Sequence, residues 1–160
     1  MRPRPPVMRQ KRRYILARIE PAGFFPEQKL VYLSVLEAVT SLYGDKEAGF
    51  MQPAVVYCDA GYAVVRCTRG SEGDCATALA TVTGIADHPA SMRAMATSGT
   101  ILTLKRRIRP AVPETEPAEI QRCEKYFTMQ RYPGQKVDLI EKSIKHQKLL
   151  FFTEDDVEES

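Results

Sequence analysis

The sequence predicts an α+β fold whose strands and helices follow the order βαββαβ, and three observations lead there. Residues 13–20 alternate side chains with period two, as a strand with one buried face does. Residues 26–44 carry apolar residues at helical spacing. Two Val-, Tyr- and Cys-rich runs, 54–58 and 62–68, flank Asp59-Ala60-Gly61 in the manner of a hairpin.

Taken in order, the chain opens with Pro3, Pro5 and Pro6, which keep residues 1–8 out of regular structure, so 1–10 reads as a flexible basic arm. In the first strand Ile15, Ala17 and Ile19 share one face, and Tyr14, Leu16, Arg18 and Glu20 the other. Pro21 and Gly23 end it. Pro26 suits the first position of a helix and Gly44 its stop, with Leu30, Leu33, Val35, Leu36, Val39, Leu42 and Tyr43 as its apolar side. After the hairpin, Gly70-Ser71 leads into a second helix over 72–85, with Cys75, Ala78, Leu79, Val82 and Ile85 at helical spacing. Asp87–Pro89 reads as a turn, and Met92–Ala96 as a short fourth strand. A further helix runs from Ser98 to Arg109, with Ile101, Leu104 and Ile108 on one side.

This order is the ferredoxin-like, or RRM-like, sandwich: a four-stranded antiparallel sheet with two helices on one face. The other face gathers Tyr14, Leu16, Arg18, Tyr62, Val64, Arg66 and Arg93. The domain is expected to span 11–110. Pro110, Pro113 and Pro117 mark its end, and the extension 111–153 is expected to add C-terminal helices, over 117–131 and 137–146. Leu149–Phe152 is apolar enough to dock on the core, and 154–160 reads as an acidic tail.

Charge is distributed unevenly. The 160 residues hold 23 Lys and Arg against 20 Asp and Glu, but five of those acids fall in residues 154–160. Six cations lie in the first thirteen residues, and Lys105, Arg106, Arg107 and Arg109 crowd one helix end. Neither segment has an interleaved acid to pair with locally, so both point to a polyanion partner. The helix start at Ser98, Gly99 and Thr100 adds backbone N–H groups suited to a phosphate.

Other chemistry is poorly represented. Cys58, Cys67, Cys75 and Cys123 contain no C-x-x-C pair, and His88 and His146 are the two histidines, so no metal site is expected. Neither histidine has a nucleophile or carboxylate near it in sequence, so no catalytic residues are assigned. There is no signal peptide and no apolar run approaching twenty residues; a cytoplasmic protein without a membrane role is expected. Gly61-Tyr62-Ala63-Val64-Val65 partly matches the third-strand signature of RNA-recognition motifs, with Ala60 in place of the basic residue and Val64 in place of an aromatic. Tyr14 and Tyr62 are therefore candidates for base stacking, against the plainer reading that both pack beneath the C-terminal helices.

Three blocks in this order and spacing carry a resemblance: Arg12-Arg13-Tyr14-Ile15-Leu16-Ala17-Arg18-Ile19, Val64-Val65-Arg66-Cys67, and Ser98-Gly99-Thr100-Ile101 running into Lys105-Arg106-Arg107. Over about residues 9–110 the chain resembles the archaeal ribonuclease P protein component 2 family. The resemblance implies an RRM-like sandwich within a ribonucleoprotein that removes the 5′ leader from precursor tRNA. It implies an RNA subunit that carries the catalysis with Mg²⁺ at its own active centre, and no cofactor on the protein. It also implies a larger TIM-barrel-like protein partner and admits a homodimer within a heterotetramer. Arg9, Lys11, Arg12, Arg13, Ser98, Gly99, Thr100, Lys105, Arg106, Arg107 and Arg109 are the expected RNA-binding residues. Two other readings remain open at this point. One is a general RRM-like single-strand RNA-binding protein acting through Tyr14 and Tyr62. The other is a ferredoxin-like small-molecule-sensing or catalytic domain, which needs a polar pocket with converging titratable groups.

Overall fold

A computed structural model describes residues 2–109, 116–122, 124–132, 136–141 and 149–153. The arm is exposed throughout residues 2–11, and the prolines that bar regular structure there still allow a single 3-10 turn, Pro6–Met8. Strand β1, Arg12–Glu20, follows and becomes an inner strand of an antiparallel sheet. Its neighbours are β3, Tyr62–Thr68, and β6, Ser91–Ser98, and β2, Ala54–Asp59, pairs with the far side of β3. Both faces of β1 are covered, so Ile15, Leu16 and Ala17 are all buried although consecutive side chains point to opposite faces.

The first face packs on α1, Gln28–Met51, and α2, Glu72–Ala80. Val31, Val35 and Val39, one turn apart on α1, are fully buried against Ile15, Ile19, Val65 and Leu79. The expected stop at Gly44 is a break: Gly44 takes φ +82°, ψ 169°, and the chain then resumes helical turns to Met51. Ala60 and Gly61, at φ +54° and +78°, turn β2 into β3, with the Ala60 N–H donating to Asp59 Oδ1 at 2.8 Å.

The second helix is shorter than its periodicity suggested. It ends at Ala80, where the Thr81 hydroxyl donates to the Ala78 carbonyl at 2.7 Å. Val82 and Ile85 stay buried, but on a tight two-stranded ladder of β4, Gly84–Ile85, and β5, His88–Pro89. A Cβ at Gly84 would lie 3.1 Å from the His88 carbonyl oxygen, so the close approach of these strands uses the glycine. Strand β6 extends beyond the expected Met92–Ala96 at both ends, and its register against β1 shifts between Leu16 and Ala17. Helix α3, Ile101–Lys105, leaves its end.

The C-terminal extension overturns the expectation of helices. It forms β7, Ala118–Arg122, β8, Lys125–Tyr132, β9, Lys136–Glu141, and β10, Leu149–Thr153, in a second antiparallel sheet of order β10-β9-β8-β7. The governing period is two. Phe127 and Met129 alternate on β8, Val137 and Leu139 on β9, and together with Ile120 they make a separate apolar cluster. This sheet reaches the first through the turn after β1, where the Gly23 N–H donates to the buried Asp138 Oδ2 at 2.8 Å. The segment 142–146 of the second expected helix, His146 with it, lies outside the described residues, as do Cys123 and the acidic tail 154–160.

Candidate nucleic-acid interface

Helix α3 closes the sheet's second face. Leu104 is completely buried there with Leu16, Tyr62 and Val64, and Tyr14, Val56, Tyr57, Ala96 and Ile108 pack around them. The predicted stripe of Ile101, Leu104 and Ile108 is thus the inward side. The helix is brief: regular geometry ends at Lys105, and single turns carry the chain on, the Arg107 N–H to the Leu104 carbonyl and that of Ile108 to Lys105.

Its outward side is basic, with Lys105, Arg106, Arg107 and Arg109 all exposed. Among the described residues, no carboxylate lies within ion-pair distance of Lys105, Arg106 or Arg107. Two of the four cations are held in place. Lys105 Nζ sits 4.2 Å from the centroid of the Tyr57 ring, a cation–π contact, and Arg109 Nη1 donates to the carbonyls of Arg106 and Ile108 at 3.0 and 3.1 Å. Of the amides at the helix start, that of Thr100 is already bonded to Ser98 Oγ at 3.2 Å, and the Thr100 and Thr103 hydroxyls lie 2.7 Å apart.

The register of β1 brings the arm to the same face. Tyr14 stands opposite Ser98 and Arg12 opposite Thr68, so the start of β1 lies beside the start of α3. Arg9 and Lys11 are exposed, and Arg9 Nε donates to the Arg4 carbonyl at 3.0 Å. Arg13 differs. It points to the helix-covered face, where its guanidinium lies next to Gly99 and its Nε is 3.1 Å from Glu72 Oε1. Glu72 also accepts the Gly70 N–H at 2.7 Å. Its own backbone N–H, that of Gly70 and the Arg13 charge together hold its carboxyl below the usual range. The expectation that no acid offsets these cations is therefore wrong for Arg13, because its partner comes from a helix some sixty residues on, which local sequence cannot show.

The stacking assignment of Tyr62 also fails. Its ring is 7% exposed beneath α3, its hydroxyl donates to the Arg109 carbonyl at 3.1 Å, and the Arg18 guanidinium lies 6.0 Å from the ring centroid. No open face remains for a base. Tyr14 is half-buried in the same cluster. The cover is α3 itself, and neither reading of the tyrosines anticipated that.

Cys58 stands opposite Ala63, whereas Cys67 reaches Cys75 of α2. The hydrogen bond between those two buried thiols lowers the Cys67 pKa and, with burial, raises that of Cys75. Among the described residues no group of three or more His, Cys, Asp or Glu is placed to hold a metal ion, and no helix is long and apolar enough to cross a membrane. Sequence reasoning missed two contributors, Tyr57 as the seat of Lys105 and Glu72 as the counter-charge of Arg13. An aromatic on an edge strand and an acid in a first helical turn carry no local signal for either role.

Comparison with known proteins accords with this geometry. A protein called ribonuclease P protein component 2 from Methanoculleus marisnigri is 58% identical over 159 residues, 99% of both chains. Its namesake from Methanosphaerula palustris is 44% identical over 159 residues, again 99% of both. A third, from Methanocorpusculum labreanum, is 49% identical over 106 residues, covering 66% of this chain and 71% of its own. The family model that matches residues 13–109 takes in the sheet, both large helices and the basic helix, and the chain belongs to the Rpp14/Pop5 family.

Proposed function

We propose that the chain is a protein subunit of ribonuclease P and binds the enzyme's RNA through the outward face of α3. The carrying observation is that Lys105, Arg106 and Arg107, at and just past the end of a helix anchored by a fully buried Leu104, stand exposed and without carboxylate partners among the described residues. In this reading the first sheet with α1 and α2 is the RRM-like βαββαβ sandwich. Its customary base-stacking face is given over to seating the basic helix.

The chain takes part in endonucleolytic tRNA maturation only within the complex. The RNA supplies the chemistry, with Mg²⁺ at its own active centre, and the protein neutralises backbone phosphates so that RNA segments which repel one another pack together. Arg9, Lys11 and Arg12 extend the contact along the arm, and the backbone near Ser98, Gly99 and Thr100 adds to it. Precursor tRNA is met through the complex. A larger TIM-barrel-like subunit is the protein partner, in an assembly that admits a homodimer of this chain within a heterotetramer, in the cytoplasm. RNA recognition of this kind is by shape, with no linear sequence read.

The test is a triple variant, Lys105→Ala, Arg106→Ala and Arg107→Ala, titrated against ribonuclease P RNA over a series of salt concentrations. Loss of three phosphate contacts flattens the plot of log affinity against log salt by about 2 to 3. An unchanged slope in a folded variant refutes the assignment of this surface.

A further inference from the structure

Two arginines outside α3 point to a second anion site. The register of β1 against β3 sets Arg12 opposite Thr68 and Tyr14 opposite Arg66, so Arg12 and Arg66 are diagonal neighbours on the face that carries Leu16 and Val64. Diagonal Cβ atoms stand about 7–8 Å apart, within reach of two long side chains. One nitrogen of each guanidinium, Arg12 Nη1 and Arg66 Nε, is shielded from water and has no hydrogen-bond partner among the described residues. Among the described residues neither side chain is in an ion pair. Glu72 is engaged by Arg13 on the opposite face, and Asp45, which lines the same cavity as Arg66, is not within ion-pair distance of it. The Thr68 hydroxyl is engaged as well, donating to the Phe50 carbonyl at 2.8 Å and accepting from Gln10 Nε2 at 3.2 Å.

A shielded donor without an acceptor is unfavourable, and two such donors on like charges side by side are more so. One anion held by the nitrogens of both guanidiniums that still face solvent offsets the repulsion between the two charges. We propose that Arg12 and Arg66 form a clamp for a single phosphate of the RNA backbone, at the end of the sheet where β1 begins. Arg109, by contrast, meets Tyr62 towards the hairpin end. Guanidinium forks match the geometry of phosphate oxygens. RNA is the favoured source because exposed Lys11 and Arg69 flank the clamp, tied together by the Arg69 N–H donating to the Lys11 carbonyl at 3.0 Å. The proposal rests on the RNA-binding reading above and adds Arg66 to it.

The experiment compares the full chain with Arg12→Gln, Arg66→Gln and the double variant, each titrated against ribonuclease P RNA over a salt series beside the α3 triple variant. Each single variant is expected to lower the salt slope by about one phosphate's worth, 0.7–0.9, and the double variant no further, because both arginines hold one group. Inorganic phosphate is expected to raise the melting temperature of the unmodified chain but not of the variants. Wild-type slopes in both single variants, or losses that add in the double, overturn the clamp. If only the α3 variant loses binding, the clamp falls and the RNA reading stands; if none does, both fall. Should a glutamine variant fail to fold, Arg12→Lys and Arg66→Lys keep the charge without the fork, and undiminished stabilisation by phosphate overturns the proposal equally.

Discussion

Replacing Leu104 by alanine tests whether the basic surface depends on its apolar anchor. Helix α3 spans five residues, far too few to persist alone in water, so its shape comes from docking. Leu104 is the one fully buried side chain of that docking, set among Leu16, Tyr62 and Val64. Ile108, the next apolar residue of the stripe, is half-exposed. Truncating a buried leucine to alanine costs about 2–5 kcal/mol, counting the lost burial and the cavity left behind. Local undocking of α3 relieves the cavity, so the loss is expected near the lower figure in global stability. It is expected to show most strongly as lost protection of residues 99–109. Urea unfolding gives the first quantity, and amide hydrogen exchange read by mass spectrometry gives the second. RNA affinity is expected to fall about tenfold or more, as about 1.4 kcal/mol of pre-organisation is lost, while the salt slope barely moves because every cation is still present. A stability loss under about 1 kcal/mol with unchanged exchange in 99–109 would show that α3 is held by something other than Leu104.

Tyr62→Phe removes the hydroxyl that donates to the Arg109 carbonyl and is expected to lower stability by about 0.5–1.5 kcal/mol in urea unfolding, while leaving a ring in place. Tyr62→Ala is expected to cost stability before it costs affinity per folded molecule; the reverse order revives the stacking reading. Glu72 has its folded pKa held below the ordinary value, so its stabilising contribution is present above the ordinary carboxylate range and is lost as pH falls through the folded pKa. Melting curves of Glu72→Gln against the unmodified chain should therefore differ at neutral pH and converge in acid, the more modestly because the side chain is partly exposed. Gly23→Ala places a Cβ 2.9 Å from both Asp138 Oδ2 and the Tyr132 hydroxyl, so the turn must shift and its hydrogen bond to Asp138 weaken. A loss of about 1–3 kcal/mol, with faster proteolysis within 118–141, is expected, and undisturbed proteolysis refutes the contact.

Most of residues 12–109 was legible because the apolar residues that fill each face recur with one period per element, even where both faces of a strand are buried. Ile15, Ala17 and Ile19 do turn to the helices, and Leu16, Tyr62 and Val64 to the other face, as alternation requires. The extension defeated the same method for a physical reason. Around the turn contact both faces of the second sheet are buried, with Tyr132 and Asp138 on one and Val137 and Leu139 on the other, so alternation is blurred where β8 and β9 carry most of their apolar residues. Charge patterning located the basic residues but could not tell an offset cation from one without a partner. Arg13 meets Glu72, and Arg12 meets Arg66, only through strand register and helix packing.

The division between Arg12 and Arg13 shows how the fold sorts charge for function. Consecutive residues on a strand face opposite ways, so one arginine is turned to the helix side and the next to the face that α3 closes. Arg13 fastens α2 through Glu72 and lies against Gly99, where the chain enters α3. It thus stabilises the junction that presents the other cations. Arg12 is left on the opposite face with Arg66, where no carboxylate among the described residues pairs with it, and in the proposed reading its charge serves the RNA. In the proposed reading, a basic segment that looks uniform in sequence is two devices, one fastening the scaffold and one facing the polyanion. An alanine scan that treats Arg12 and Arg13 alike would mix a loss of fold with a loss of binding, whereas the salt slope separates them, since only the loss of a phosphate contact changes it.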